Sequence, residues 1–172
     1  MKDYTQALNT IDIVNSICSI PLPVDMAVIY SVSLLHVGRI DDALEIIDSL
    51  LIIENFSEEE AEHSFILASA LQECHMIDKS LEFIHLLLSL PSYQNSDTYY
   101  LSYLCYNEKK DIDHCIEDLT KALDLIPEGM NEKKQELALK LSKLYDEKGE
   151  LLKSVEITTK YLYKARHFVV LN

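Results

Sequence analysis

Cysteine and histidine are the side chains best suited to grip a metal ion or act as a nucleophile with its base. They adjoin twice here, at Cys74-His75 and His114-Cys115. Neighbouring residues on a helix point about 100° apart, so neither pair readily closes on one ion. No CxxC, HExxH or GxSxG spacing occurs. The glycines, Gly38, Gly129 and Gly149, are isolated, which excludes a GxGxxG or Walker-type phosphate loop. The acidic run Glu58-Glu59-Glu60 falls in a predicted first helical turn, where carboxylates favour the positive end of the helix dipole. Tyr99, Tyr100, Tyr103 and Tyr106 could stack on bases, but their spacing on an acidic helix reads as packing. The expectation is therefore no catalytic residue, no metal, no cofactor and no enzyme.

The elements that hold these residues must be helices. Of 172 residues, 48% are apolar, enough for a core, and only three are glycine and four proline, too few for a turn-rich β fold. Residues 1–108 hold three bases against 17 acids, and residues 109–172 hold 12 of each. An acidic surface of this kind repels nucleic acid and anionic membrane and favours a basic or dipolar protein partner. Cys18, Cys74, Cys105 and Cys115 sit inside apolar helical patterns and read as buried thiols of a reducing, cytoplasmic compartment. No signal peptide is expected, because a basic start followed by an apolar run is missing. The apolar stretch Ile84 to Leu90 is too short to span a bilayer.

Internal repetition is the strongest signal. A small residue followed by an aliphatic one recurs as Ala7, Ala43, Ser80, Cys115 and Ser154, at spacings of 36, 37, 35 and 39 residues. A second helix-length apolar pattern precedes each of the last four anchors. Twelve residues before those anchors stand Ser31, Ala68, Tyr103 and Ser142. The unit is helix, short turn, helix, and one such hairpin cannot bury its apolar face alone, so neighbours must stack.

This unit resembles the tetratricopeptide repeat, whose period is about 34 residues. That family places small residues where its two helices cross, a glycine near the turn and often a proline after the second helix. Gly38 and Gly149 match the turn position, and His75 and Lys110 replace it in the other two hairpins. Pro21, Pro91 and Pro127 match the trailing prolines. Tyr103 departs from the small-residue rule, and the family's early tryptophan is absent. The resemblance implies an all-α fold, a right-handed solenoid of antiparallel helical hairpins with about nine helices. The chain then reads as one array over 1–172. An unpaired helix lies within 1–20, and hairpins occupy 24–56, 57–91, 96–127 and 131–167. Predicted helices cover about 3–19, 24–37, 41–54, 58–74, 78–90, 96–107, 111–126, 131–147 and 150–166, with Ser57 and Glu60 forming a capping box.

The resemblance also implies a function: a protein- or peptide-binding scaffold whose first helices line a concave groove. On the first hairpin that face carries Asp25, Val28, Val32, Leu35 and His36. On the second it carries Glu62, Phe65, Ser69, Gln72 and Glu73. The third offers Asp97, Tyr100, Leu104, Asn107 and Glu108, and the fourth Glu136, Leu139, Lys143, Asp146 and Glu147. Apolar centres with an acidic fringe suit a peptide with Leu or Phe anchors flanked by Lys or Arg. The competing reading of this face is that the chain's own helices cover it. Some relatives hold a chaperone's terminal carboxylate with Lys and Asn, whereas these positions are mostly apolar or acidic, which argues against that role. The alternative function is a peptide-sensing repeat domain of a bacterial regulator controlling an output domain or partner. An RNA-binding role, suggested by a pentatricopeptide-like first hairpin, conflicts with the acidity. Finally, the apolar tail Phe168-Val169-Val170-Leu171 lacks a polar capping helix, so an end helix is expected to pack on a second copy or on a further domain.

Overall fold

The computed structural model describes residues 4–17, 22–50 and 58–163. Contacts divide the chain into two compact units, Met1–Tyr93 and Gln94–Asn172. Unit 1 contains α1 (Tyr4–Ile17), α2 (Val24–His36), α3 (Ile40–Leu50), α4 (Glu58–Glu73) and α5 (Ile77–Leu88), followed by a 3-10 turn at Pro91–Tyr93. Unit 2 contains α6 (Ser96–Glu108), α7 (Ile112–Asp124), α8 (Asn131–Glu147) and α9 (Leu151–Thr158), which runs on as a π-helical turn over Thr159–Tyr163. The described residues are thus all-α, with nine α-helices and no strand. In unit 1, α2 pairs with α3 and α4 with α5, and α1 and α4 both pack on α2. In unit 2, α6 pairs with α7 and α8 with α9, and α7 packs on α8.

The anchors explain why the hairpins close. Ala43, Ser80, Cys115 and Ser154 are all buried, as are Ser31, Ala68, Tyr103 and Ser142 twelve residues earlier. The Ser80 hydroxyl donates to the Ala68 carbonyl at 2.8 Å, and the Cys115 thiol to the Tyr103 carbonyl at 3.9 Å. Both bonds link an anchor to the residue twelve before it. That spacing therefore marks the point where two helix backbones approach closely, which requires a small side chain on at least one of them. Tyr103 is accommodated because Cys115 is the small partner there.

Each hairpin turns the same way. Gly38, His75, Lys110 and Gly149 all have positive φ, at 81°, 61°, 58° and 80°. In each case that residue's N–H donates to the carbonyl three residues back, and the next N–H donates to the carbonyl five back. Gly38 N–H reaches Leu35 O and Arg39 N–H reaches Leu34 O. His75 and Met76 repeat this onto Gln72 and Leu71, Lys110 and Asp111 onto Asn107 and Tyr106, and Gly149 and Glu150 onto Asp146 and Tyr145. This is the Schellman motif, which satisfies carbonyls that a helix end would leave open. His75 and Lys110 hold a left-handed conformation that glycine adopts without strain.

The helices start on polar caps where the sequence supplies them. Asn95 Oδ1 accepts from the N–H groups of Asp97 and Thr98, both at 3.0 Å, to open α6. Asp111 Oδ1 accepts from His114 N–H at 3.2 Å to open α7. Ser57, the side chain of Ala7 and the tail 168–171 lie outside the described residues. The helix expected over 150–166 is α-helical only to Thr158. There the Thr158 and Thr159 hydroxyls donate to the carbonyls of Ser154 and Val155, four residues back, at 2.8 Å each. Such back-bonding loads the helix carbonyls and favours local distortion, and the helix widens to a π turn at that point.

Candidate interaction surface

In unit 1 the first helices are α2 and α4. Along α2, Asp25 and His36 are exposed, Val32 is half-buried, and Ile29 is 49% exposed. Along α4, Glu62 and Glu73 are exposed, Ser69 is half-buried, and Ile66 is 48% exposed. The two stripes, 25-29-32-36 and 62-66-69-73, share a 4-3-4 spacing, which keeps all four residues on one helical face. Both place an exposed isoleucine two residues before the crossing residues Ser31 and Ala68. Glu73 Oε2 comes within 4.0 Å of His36 Nε2, joining the C-terminal ends of the stripes, and Tyr4 of α1 stacks on His36 at a ring separation of 4.3 Å.

Other members of the mapped face lie differently. Val28 and Leu35 are each only 3% exposed. The helix that carries them has α1, α3 and α4 as neighbours, so three sides of it are occupied. Phe65 and Gln72 are half-buried. The rotation by one residue, from Val28 to Ile29, is what the sequence did not reveal; His36 was already on the mapped face. A helix reading Val-Asp-Met-Ala-Val-Ile-Tyr-Ser-Val-Ser-Leu-Leu-His is apolar nearly all round, and its pattern fixes no outer face. The usable signal was positional: Ile29 and Ile66 are equivalent in the repeat frame.

In unit 2 the first helices are α6 and α8. Asp97, Asn107 and Glu108 are exposed, and so are Glu136, Leu139, Lys143, Asp146 and Glu147. Tyr100 and Leu104 are half-buried and pack against the core formed by Tyr103, Leu119, Leu137, Leu141 and their neighbours. Tyr99 and Tyr106 pack on the same core, which accounts for the tyrosine cluster without a ligand. Polar links cross between hairpins: Lys133 Nζ lies 2.5 Å from Asp97 Oδ1, and Lys148 Nζ lies 2.6 Å from Asp113 Oδ1. Lys140 Nζ sits 6.0 Å above the Tyr100 ring. Burial tends to lower the Lys140 pKa, but Tyr100, Tyr103 and Glu136 outweigh it, and the net direction is upward.

The residues considered for chemistry are placed in ordinary structural roles. Cys115 is buried at the α6–α7 crossing, and burial, with Asp111, Asp118 and Glu147 nearby, pushes its thiol up to about 12. The His114 ring donates from Nδ1 to Asp111 Oδ2, 2.8 Å away, and stacks on Tyr106 at 4.4 Å. Among the described residues no group of three or more His, Cys, Asp or Glu side chains is placed to hold a metal ion, and no helix is long and apolar enough to cross a membrane.

No protein-family model and no curated protein matches the chain. Solved structures do. A crystal structure of MamA superposes with a TM-score of 0.70 at 21% identity, covering 97% of this chain and 91% of that one. A structure of MamA AMB-1 gives 0.67 at 16% identity, covering 92% and 87%. MamA 41-end from Desulfovibrio magneticus RS-1 gives 0.59 at 19% identity, covering 84% and 77%. At these identities the likeness is one of fold. Together with the anchors, crossings and turns above, it gives the chain a tetratricopeptide-like fold of helical hairpins in chain order, built from degenerate repeats.

Proposed function

We propose that the chain is a non-enzymatic, cytoplasmic protein-binding scaffold, and that its docking surface is centred on α2 and α4 of unit 1. The observation that carries this reading is the matched pair of stripes, each with an exposed isoleucine between acidic or imidazole ends. Monomeric surfaces scatter apolar residues singly, but equivalent isoleucines on adjacent packed helices supply a defined apolar centre. Phe65 and Val32 extend that centre, and Asp25, Glu62 and Glu73 form its rim. A helix or extended peptide with Leu or Phe anchors and Lys or Arg flanks matches both parts. Unit 2 adds Leu139, Tyr100, Leu104 and Lys143 with Asp97 and Glu108 as a more mixed surface. The unbroken repeat rhythm through residues 1–172 supports reading both units as one array.

The exposed face of α9 fits the same reading. Leu151, Leu152 and Val155 of α9 are 64%, 89% and 63% exposed. The positions of Leu151 and Val155 are half-buried as Ile112 and Ile116 in α7, on which α8 packs. A second copy of this chain would cover them in the same manner.

The test is a hydrogen-exchange footprint of the intact chain with its natural partner, isolated by crosslinking. Protection is expected on α2 and α4, and Ile66→Ser is expected to weaken the complex while leaving the fold intact. Protection confined to α3 and α5, with affinity unchanged in Ile66→Ser, would overturn the surface assignment.

A further inference from the structure

Asp118 stands three residues after the anchor Cys115. The other hairpins fill that position with Ile46, Phe83 and Ile157, which are half-buried, 2% exposed and half-buried. Here the repeat frame places a carboxyl where it elsewhere places hydrocarbon. Asp118 is only 7% exposed, and its Oδ2 has no hydrogen-bond partner. The carboxyl accepts a hydrogen bond from the Ser102 hydroxyl of α6, itself 2% exposed. An ionised carboxylate in such a seat lacks the donors that would offset its lost hydration, whereas the neutral acid loses far less.

We propose that Asp118 makes the α6–α7 hairpin a proton-sensitive element of unit 2, closed over the neutral acid and loosened when the acid ionises. The groups around it divide by helix. From α6 come the Ser102 hydroxyl and Tyr106; on α7 itself lie His114, Glu117 and Lys121; from α8, Glu147 approaches on the Cys115 side. Burial raises the Asp118 pKa, and Glu117 adds to this; Ser102, Lys121 and His114 oppose it without reversing the direction. Since the folded carboxyl keeps its proton to higher pH than the unfolded one, its contribution is fully present below the ordinary aspartate value of 3.8. It is lost as pH rises through the elevated folded value. This device is independent of the docking surface in unit 1.

The decisive measurement is amide hydrogen exchange of the full chain at pH 3.5 and 7.5, corrected for intrinsic rates, in wild type, Asp118→Asn and Asp118→Ile. At pH 7.5 both variants are expected to exchange on the order of tenfold more slowly than wild type across α6 and α7. That gap should close towards pH 3.5, while the ratio of variant to wild type over α2 to α5 stays unchanged. Taking each variant against wild type cancels the other carboxylates that titrate in this range. A gap of the same size at both pH values, no gap at pH 7.5, or a failure of both variants to fold would each overturn the proposal.

Discussion

Unit 1 carries three bases against 15 acids, whereas unit 2 carries 12 against 14. Unit 2 spends its bases locally: Lys133 on Asp97, Lys148 on Asp113 and Glu150, Lys121 on Glu117, Lys153 on Glu150. These pairs are exposed, and each contributes little to stability, but together they leave a nearly neutral surface. Unit 1 has only Lys2, Arg39 and Lys79, and the described pairs place Arg39 on Asp42 and Asp12, and Lys79 on Asp48 and Glu82. Three bases cannot balance fifteen acids, so the remaining field points outward. The same unit exposes Ile29 and Ile66 on adjacent first helices, where the equivalent Leu101 of unit 2 is buried. One hairpin geometry thus serves two ends: unit 2 nearly balances its charge and keeps its most exposed apolar residues on α9, whereas unit 1 sets exposed first-helix isoleucines in an acidic field.

The largest test of this contrast uses one repeat position in both units. Phe83→Ala should cost about 3–5 kcal/mol in urea unfolding, because a fully buried ring is lost. Asp118→Leu, at the matching position, should instead stabilise at neutral pH. Opposite expectations at equivalent sites leave little room for a general explanation; destabilisation by both would remove the contrast. Next in size is the crossing. Ala43→Leu forces a side chain where the α2–α3 backbones approach and should destabilise by about 1–3 kcal/mol, read as a shift in urea midpoint at constant slope.

Binding comes third. Phe65→Ala and Ile66→Ser are each expected to weaken partner affinity by about 1–2 kcal/mol in calorimetry, and Ile66→Ser should leave the melting temperature unchanged. Tyr100→Ala should lower the melting temperature, since that ring packs on the unit 2 core; a loss of affinity without loss of stability there would shift the surface towards unit 2. Smallest are the turns. His75→Gly and Lys110→Gly should each stabilise by roughly 0.5–1 kcal/mol by relieving left-handed backbone. Destabilisation in either variant would mean that a side-chain interaction outweighs the strain.

Much of the fold was legible because it depends on small residues at fixed spacing. Ala43, Ser80, Cys115 and Ser154 announced the crossings, and Gly38 and Gly149 the turns. His75 and Lys110 could be placed at the turn by register, but their left-handed geometry follows only once the carbonyls of Leu71 and Tyr106 are seen to need donors. The candidate surface was less legible. Val28 differs from Ile29 by one residue of rotation, about 100° on a helix, and the all-round apolarity of α2 does not choose between them. Asp118 was invisible for a related reason: an aspartate in a charged run reads as surface, and only its register against Ile46, Phe83 and Ile157 marks it as interior. The widening at Thr159 depends on hydroxyl geometry that no hydropathy pattern encodes.

The thiol at the α6–α7 crossing also furnishes a clock. Cys115 is 1% exposed and its pKa is pushed up to about 12, so in the closed hairpin it presents almost no thiolate to an alkylating reagent at neutral pH. Its labelling then proceeds through opening alone, and under conditions where the reagent outruns reclosure the labelling rate becomes the opening rate itself. Cys74, half-buried beside the α4–α5 turn, offers a second trace from unit 1. A mass spectrum that resolves the two sites would set opening at Cys115 against direct labelling at the partly exposed Cys74 in a single native sample.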